Sequence, residues 1–327
     1  GVDGSHYRGQ FSEWRFNGPG HLSMTDGSTY VGEFAADTYQ GNGTLTASDG
    51  TVESGFWING QRVRDAQGGL LPDTLELGLL NQGQLLNQAL QAVPASTPAI
   101  ELYSLVVAGD GKQSVFMREA DYVTDMLASR FGSRGHITLV NHRDHLMDRP
   151  MATRENLHRA AKTLAERTGP EDLVFIYLTS HGTQDHELVL DQPRLELADL
   201  PADELAAALE PLKNRDKVIV ISSCYSGGFI PALKDERTLI MTASRTDRVS
   251  FGCSEEADFT YFGNALFAQA LNQTDDLQKA FKLAKEAIAE REQTDGYEAS
   301  EPQMWAPKGV LNHWQRLRQQ QAKRALQ

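Results

Sequence analysis

The chain has 327 residues, of which 40% are hydrophobic and 23% charged, with a formal net charge of −13. Its length allows one large domain and one smaller domain. The negative charge argues against nucleic acid as a partner and disfavours a general attraction to anionic membranes. Because the sequence contains no apolar run of about 18 residues, it predicts no membrane-spanning helix.

The first sixty residues repeat with a period of 23. Asp-Gly pairs recur at 3–4, 26–27 and 49–50 between short β-prone stretches, which is typical of hairpin turns. Each unit should therefore be one β-hairpin that stacks on the next. The pattern Tyr-x-Gly-x-Phe, Gly-x-Gly and Asp-Gly resembles MORN repeats, which implies a small all-β array over residues 1–60. Tyr7, Tyr30 and the aromatic residues four positions further on would form its stacked ladder.

Residues 61–98 are expected to connect this array to the rest of the chain. Leucines at helical spacing over 73–92 indicate a helix, and Val93-Pro-Ala-Ser-Thr-Pro98 has the composition of a linker. Residues 99–310 alternate in the βαβ manner, which predicts an α/β fold with a doubly wound, mostly parallel sheet. The polar, basic tail at 311–327 is expected to be a helix that frays.

The α/β region can be divided into predicted elements by its apolar runs and its helical periodicity. Strands are expected at 100–107, 136–141, 172–179, 217–222 and 238–243, and helices at 118–131, 153–167, 202–212, 259–272 and 275–292.

Two of these predicted strands end on reactive side chains. His181 and Gly182 follow one apolar run, and Cys224 follows the next. Sites in open α/β sheets form beyond the carboxyl ends of the strands. A His and a Cys brought there by adjacent strands would be placed as base and nucleophile. The pattern therefore predicts a cysteine hydrolase.

Each of these residues also has a plainer interpretation. An isolated cysteine is most often a buried structural residue, and a lone histidine often caps an element or fills a core. Their joint position at two strand ends favours catalysis. Asp185 and His186 invite a metal site with His181, but this spacing suits neither a helix face nor the usual zinc patterns. No metal and no cofactor is expected.

Several motifs in order resemble the legumain-type cysteine peptidases (the C13 family) and their bacterial relatives, within the wider caspase-like group. Besides His-Gly and Cys-x-Ser-Gly, they are Val106-Val-Ala-Gly109, Arg118-Glu-Ala-Asp121, Thr242-Ala-Ser244 and Phe259-Thr-Tyr-Phe-Gly263. The resemblance covers roughly residues 100–307 and implies a caspase-like fold. It also implies a cysteine endopeptidase that forms a thioester at Cys224, with His181 shuttling protons. The amides of Gly182 and Cys224 would form the oxyanion hole.

The resemblance also implies a pocket for the substrate residue before the scissile bond. Arg118 matches the arginine of this pocket, which can bind a carboxamide or carboxylate. Its plainer alternative is a helix-start arginine paired with Asp121 or solvent. Ser250, Tyr225 and Asn264 stand at other positions matched to the pocket.

This chain departs from the family at several pocket positions. Legumains carry acidic residues where Tyr225 and Asn264 stand, and paired serines near Ser250. Acidic residues at 255, 256 and 258 are alternatives to the missing carboxylates. We therefore expect a preference for Asn, Asp or a small polar residue and not strict asparagine specificity. Legumains place a catalytic asparagine two residues before the arginine, where Phe116 stands here, so a Cys–His dyad is expected.

The remaining alternatives concern cysteines, function class and location. Two cysteines make no disulfide framework, and Cys253 is expected to be structural. A transpeptidase or transamidase would use the same dyad, while a non-catalytic scaffold is the competing class. The repeats would dock a membrane or a partner protein, or serve only as a structural cap. The chain begins at Gly1 and not at Met, so we expect it to be part of a longer protein. Its compartment stays open: cytoplasmic, or periplasmic or membrane-associated if a targeting segment precedes it.

Overall fold

The structure is a computed structural model that describes residues 4–255 and 257–325. The chain divides into two compact units, one up to Leu77 and the other from Gly78 onward. Glu256, one of the acidic residues considered for the pocket, lies outside the described residues, as do 326–327 of the predicted tail.

Within the described residues, the first unit is a six-stranded antiparallel sheet in which each strand pairs with the next. The strands are β1 (His6–Ser12), β2 (Arg15–Ser23), β3 (Thr29–Ala35), β4 (Thr38–Thr46), β5 (Val52–Ile58) and β6 (Gln61–Asp65). The predicted all-β hairpin region is therefore confirmed. The sheet continues through β6, beyond residue 60, because β6 pairs with β5.

Stacked aromatic rings hold this sheet together. Tyr7 stacks on Phe16 with ring centroids 3.8 Å apart, and Tyr30 stacks on Tyr39 at 3.7 Å. Trp57 meets both Tyr30 and Tyr39 edge-on at 5.5 Å. Burial raises the pKa of Tyr30 to about 12. A sheet this small gains most of its apolar burial from such rings, so these aromatic residues are its core.

The described part of the second unit contains one large sheet, with the strands β7 (Leu102–Ala108), β8 (Ser133–Val140), β9 (Leu173–Thr179), β12 (Asp216–Ser222), β13 (Thr238–Thr242) and β14 (Gln303–Trp305). The strands β10 (Glu187–Leu188) and β11 (Leu200–Pro201) form a separate short pair. The order of strands in the large sheet is β14-β13-β12-β9-β7-β8. All pairings in the large sheet are parallel except that of β14 with β13. The predicted α/β class with a mostly parallel sheet is confirmed.

Helices cover both faces of this sheet. They are α1 (Thr74–Gln91), α2 (Ser114–Ser129), α3 (Arg154–Arg167), α4 (Ala202–Leu209), α5 (Ile230–Leu233), α6 (Tyr261–Gly263), a π-helix (Asn264–Ala270), α7 (Leu271–Gln273), α8 (Leu277–Asp295) and α9 (Lys308–Ala325). One core includes Phe116, Phe267 and Trp314, and the other includes Leu86 and Leu164. Among the described residues, no helix is long and apolar enough to cross a membrane.

Two helices differ from the sequence-based expectation. Helix α2 begins at Ser114 and not near 118, because the Asp110 carboxylate accepts the Lys112 and Gln113 amides at 2.9 and 3.0 Å and turns the chain early. The tail predicted at 311–327 as a fraying helix is helical up to residue 325, but it forms most of helix α9, which packs against the core. Its Trp314 is buried in the core beside the sheet.

The strand order places a crevice at the carboxyl edge of the sheet. From β7 the chain runs outward to β8 and then returns across to β9. Connections therefore leave β7 and β9 towards opposite faces, as the two cores on either side show. In doubly wound sheets such a switch point is where ligands bind. The segments that leave β7, β9 and β12 line this edge.

Candidate active site

The register of β9 and β12 brings His181 and Cys224 to the same edge. Thr179 pairs with Ser222 at the strand ends, and the Ser180 amide donates to the Ser222 carbonyl at 3.2 Å. His181 and Cys224 each lie two residues beyond that pair. Gly182 packs so closely on the Cys224 carbonyl oxygen that a Cβ there would collide with it. Glycine is therefore required at 182, and the two segments run side by side.

The sulfur of Cys224 contacts the loop that carries Ser250. The Ser250 amide donates to Sγ at 3.3 Å, the Ser250 hydroxyl lies 3.8 Å from Sγ, and the thiol can donate to the Ser250 carbonyl at 3.5 Å. The side chain is partly exposed. Ser250, predicted as a pocket residue, thus lies directly beside the predicted nucleophile.

The backbone turns sharply after Cys224. Tyr225 adopts a left-handed conformation with φ of 56°, which costs a bulky residue about 1–3 kcal/mol. The turn is held by two buried serines. The Ser226 amide donates to the Ser244 hydroxyl at 3.1 Å, and that hydroxyl lies 3.2 Å from the Ser223 carbonyl. The strained turn therefore begins at the residue directly after Cys224.

His181 is fixed by two residues of the segment that follows β7. Its Nε2 lies 2.8 Å from the Gln113 amide oxygen, and the Phe116 ring meets its ring edge-on at 5.0 Å. Because an amide oxygen only accepts, Nε2 carries the proton in this contact. Nδ1 is then the nitrogen with a free lone pair. It is the atom that can take a proton from a thiol.

The sequence does not predict the role of Gln113, because the resemblance to legumains points to position 116 for a third catalytic residue. Phe116 packs against the imidazole there, and the amide comes from three residues earlier. A signal was present nonetheless. Gln113 follows the carboxyl end of β7, which neighbours β9 in the sheet, and sites collect at such ends.

Arg118 is bound by the chain's own loop. Its Nη2 donates to the carbonyls of Glu255 and Ala257, each at 2.5 Å, and its Nε lies 3.4 Å from the Asp258 carboxylate. Asp121, the alternative partner for Arg118, instead forms a two-pronged pair with Arg149. The carboxylate beside Arg118 is thus that of Asp258, one of the three acidic residues that the sequence suggests for the pocket.

Glu255 lies in the same loop as Asp258 but binds other residues. Its carboxylate accepts the Ser114 amide and hydroxyl, both at 2.8 Å, and pairs with Arg143 at 2.5 Å. Burial opposes ionisation, but the hydrogen bonds from Arg143 and Ser114 prevail and lower the pKa of Glu255 to about 2. A carboxylate at a helix N-terminus is favourable. Glu255 therefore ties the loop beside Cys224 to the start of α2, next to Gln113.

Tyr225 and Asn264 have different surroundings. The Tyr225 hydroxyl accepts from Gln184 at 3.3 Å, and its carbonyl accepts from His186 Nδ1 at 3.2 Å. Asn264 starts the π-helix, and its side-chain oxygen accepts from Gln269 at 2.6 Å. Within the described residues, none of the hydrogen bonds of Asn264 reaches Cys224, His181 or Arg118. Tyr225 thus lies at the edge of the candidate site, directly after Cys224. Asn264 lies one helical turn beyond Thr260, at the start of the π-helix.

Cys253 is also free, and it packs against the apolar core beneath the site. Burial, with a smaller contribution from neighbouring acidic groups and Cys224, raises the pKa of its thiol to about 12. Such a thiol is almost entirely protonated at neutral pH and a poor nucleophile. In the described part of the chain, no group of three or more His, Cys, Asp or Glu side chains could hold a metal ion.

A parallel sheet with a cysteine and a histidine at adjoining strand ends is an architecture suited to a cysteine hydrolase. The sequence pattern of the Peptidase C13 family matches residues 102–166 and 155–313, together more than half of the chain. The chain belongs to this family of cysteine peptidases, whose substrates are peptides or proteins. No curated protein matches it. Among solved structures, caspase-1 from Spodoptera frugiperda is similar at 12% identity and a TM-score of 0.45, over 65% of this chain and 92% of that chain.

Proposed function

We propose that this chain is a legumain-like cysteine endopeptidase of the bacterial type, with Cys224 as nucleophile and His181 as general base and acid. The observation that carries the proposal is the close packing of Gly182 on the Cys224 carbonyl, which sets the two strand ends side by side. The family match covers both of these segments. No cofactor is needed, because the thiol supplies the nucleophile and the imidazole moves the proton.

The reaction follows from these positions. Nδ1 of His181 takes the thiol proton, and the Cys224 sulfur attacks the substrate carbonyl carbon. The amides of Gly182 and Cys224 hold the oxyanion, the kind of fixed donor that is usually the largest electrostatic contribution in acyl transfer. The imidazolium then gives its proton to the leaving amine, and a thioester remains. Water, activated by the same imidazole, releases the acid product.

Gln113 is the third residue of this proposed site. Its amide oxygen holds the Nε2 proton of His181, which fixes the tautomer that leaves Nδ1 available. It also supports the imidazolium that forms during attack, since a carbonyl oxygen accepts better from a cationic donor. Gln113 itself is held by the Asp110 turn at the start of α2.

The substrate pocket combines a donor and an acceptor. With Nη2 of Arg118 bound to loop carbonyls, we expect a substrate carbonyl at Nη1, and Asp258 can accept from a substrate N–H₂ group. An asparagine side chain carries both groups, whereas aspartate or a small polar residue uses only the arginine. A lysine or arginine would face the guanidinium. Cleavage should therefore prefer Asn, Asp or a small polar residue.

We further propose that the six-stranded unit is a MORN-type array that docks the enzyme to a membrane or a partner protein. Its 23-residue period appears in the structure as three equivalent left-handed turns, at 13–14, 36–37 and 59–60. At the first of these, Trp14 is 97% exposed. Exposed tryptophans are common at interfaces, and this supports a docking role.

Labelling with an electrophilic thiol probe, followed by cleavage profiling with a peptide library, tests the proposed enzyme. Cys224→Ala should abolish both labelling and cleavage, and Cys253→Ala is the matched control because it removes the other thiol of the chain. We expect the Cys253→Ala variant to be labelled and to cleave peptides like the wild type. Labelling that moved to Cys253, or cleavage by the Cys224→Ala variant, would refute the proposed nucleophile. Preferred cleavage after Lys or Arg would refute the role of Arg118.

A further inference from the structure

Glu119 is a carboxylate buried within the second unit, one helical turn beyond Phe116 on α2. Its side chain has no exposed surface. It receives hydrogen bonds from four donors: the Tyr177 hydroxyl, the Thr179 hydroxyl at 2.8 Å, the Thr260 amide at 2.8 Å and the Thr260 hydroxyl at 2.9 Å. An isolated buried carboxylate would be strongly unfavourable, and paired donors are what make it tolerable.

The donors connect Glu119 to both catalytic strand ends. Tyr177 and Thr179 lie on β9, on the face of the strand that His181 continues two residues later. The Thr260 hydroxyl also lies 3.0 Å from the Ser222 hydroxyl, and Ser222 precedes Cys224 by two residues on β12. Glu119, Tyr177, Thr179, Thr260 and Ser222 together form what we call the Glu119 cluster. It joins the ends of the two strands that lead to His181 and Cys224.

The cluster also holds the loop that touches the sulfur. The Tyr261 amide donates to the Phe251 carbonyl at 2.9 Å, so the residue after Thr260 is bonded to the residue after Ser250. Gly263 packs directly on the Glu119 carboxylate, where a Cβ would collide with it. The ends of β9 and β12 are therefore linked to Glu119 through Thr179 and through Thr260 with Ser222, and the loop at Ser250 is linked through the residue that follows Thr260.

The donor set favours the ionised form. Both carboxylate oxygens accept two hydrogen bonds each, which fills the usual capacity of a carboxylate and leaves no site for a proton without losing one of them. Burial raises the pKa of Glu119 above its ordinary value, and the four hydrogen bonds oppose that rise without cancelling it. Within residues 4–255 and 257–325, none of its hydrogen bonds comes from a Lys, Arg or His. The charge is thus held by neutral donors alone.

We propose that Glu119 is a positioning residue of the peptidase site, whose ionised carboxylate fixes the ends of β9 and β12 so that His181 and Cys224 keep their relative placement. This inference rests on the proposed function. Charge-assisted hydrogen bonds are about twice as strong as neutral ones. A misplacement of about 1 Å in a catalytic group costs on the order of 100-fold in rate.

Glu119→Gln tests the proposal because it changes charge at nearly constant shape. The one donor that cannot rotate is the Thr260 amide, which points at a single carboxylate oxygen. A glutamine can keep its oxygen there and turn its N–H₂ towards the Tyr177 and Thr179 hydroxyls, which can rotate to accept. The hydrogen bonds can then remain while the charge assistance is lost. We expect kcat to fall by about 10- to 100-fold with KM nearly unchanged.

Tyr177→Phe is the matched control. It removes one hydrogen bond from the same carboxylate but leaves the bonds to Thr179 and Thr260, so it should destabilise the fold with a smaller fall in kcat. A purely structural role predicts that the two variants lose activity in step with their stability. Equal falls in kcat at equal stability, or a Glu119→Gln variant with wild-type kcat, would overturn the proposal.

If Glu119→Gln fails to fold, Thr179→Val decides, because it removes the β9 hydrogen bond that lies closer to His181 and leaves those from Tyr177 and Thr260. A folded Thr179→Val enzyme with lowered kcat supports the proposal, and one with wild-type kcat overturns it. Probe labelling of Cys224 in the wild-type protein, measured in parallel, tests the proposed function separately. If the wild-type enzyme is labelled and active and Glu119→Gln keeps wild-type kcat, the positioning role is refuted and the peptidase assignment stays intact.

Discussion

The two units of this protein are built from contacts of very different range. In the six-stranded unit, the Trp57 indole donates to Gly43, 14 residues away, and the Phe16 amide donates to Asp37, 21 residues away. In the peptidase unit, Ser114 meets Glu255 and Thr260 meets Glu119, each across 141 residues. A repeat can be assembled one hairpin at a time. A site assembled from distant segments requires the whole sheet to be in place.

Because of this difference, we expect substitutions in the two units to affect different properties of the protein. Loss of a ring in the repeat sheet should weaken that sheet without touching the chemistry. Loss of a contact at the carboxyl edge of the parallel sheet should change turnover before it changes stability. The following experiments test that separation, from the largest expected effect to the smallest.

The largest effect should come from His181→Ala. In the proposed mechanism the thiol then loses its base and the leaving amine loses its proton donor, so kcat/KM should fall by about 1,000-fold or more. Steady-state cleavage of a short peptide measures this loss. His186→Ala is the control, because the ring of this nearby histidine is hydrogen-bonded to the Tyr225 carbonyl and not to Gln113. Equal losses in both variants would contradict the choice of base.

An intermediate effect is expected from Gln113→Leu. The substitution keeps the size of the side chain but removes the oxygen that accepts the Nε2 proton of His181. We expect kcat to fall by about 10- to 100-fold, less than for loss of the base itself. Lys112→Ala, which alters the neighbouring residue and its exposed pair with Asp191, is the control. Wild-type turnover in Gln113→Leu would show that the amide does not orient the imidazole.

In the repeat unit, Tyr30→Ala should destabilise the sheet and leave turnover of short peptides unchanged. The Tyr30 ring is fully buried and stacks on Tyr39, and truncation of such a ring costs about 3–5 kcal/mol. Denaturant unfolding followed by tryptophan fluorescence would report the loss, because Trp57 packs against this ring. Loss of short-peptide cleavage in the variant would mean that the repeats take part in the site or its activation.

The smallest effect concerns the pH dependence of Glu255. Its pKa is lowered to about 2 in the folded protein, against about 4.3 in an unfolded chain. Its ionised form therefore stabilises the fold above pH 4.3, and this contribution is lost as the pH falls towards 2. The pair with Arg143 is about two-fifths exposed on both sides, so solvent screening limits the contribution to about 1 kcal/mol or less.

The corresponding measurement compares the wild type with Glu255→Gln by denaturant unfolding at several pH values. The wild type should be more stable at pH 7, and the difference should close between about pH 4.5 and 2. Glu298→Gln is the control, since Glu298 pairs with Arg248 while 84% exposed. A difference that stayed constant with pH would show that the Glu255 charge does not hold the loop.

The sequence by itself determined the features that depend on neighbouring residues. The 23-residue period and its Asp-Gly turns specify the hairpins locally. The apolar runs before His181 and Cys224 specify buried strands, and the parallel topology then brings their carboxyl ends to one edge. Gly182 could be predicted as a site residue from the sequence because it directly follows His181. These predictions required no knowledge of which distant segments meet.

Tertiary structure alone decided the groups that surround the predicted pair. Gln113 lies 68 residues from His181, and Glu255 lies 141 residues from Ser114, so no local pattern joins them. The carboxylate beside Arg118 is that of Asp258, whereas Glu255 binds the start of α2. Sequence spacing treats these two acidic residues alike, because both lie in one loop. Only the folded loop, pinned at both ends by backbone and side-chain hydrogen bonds, determines which carboxylate points at which cation.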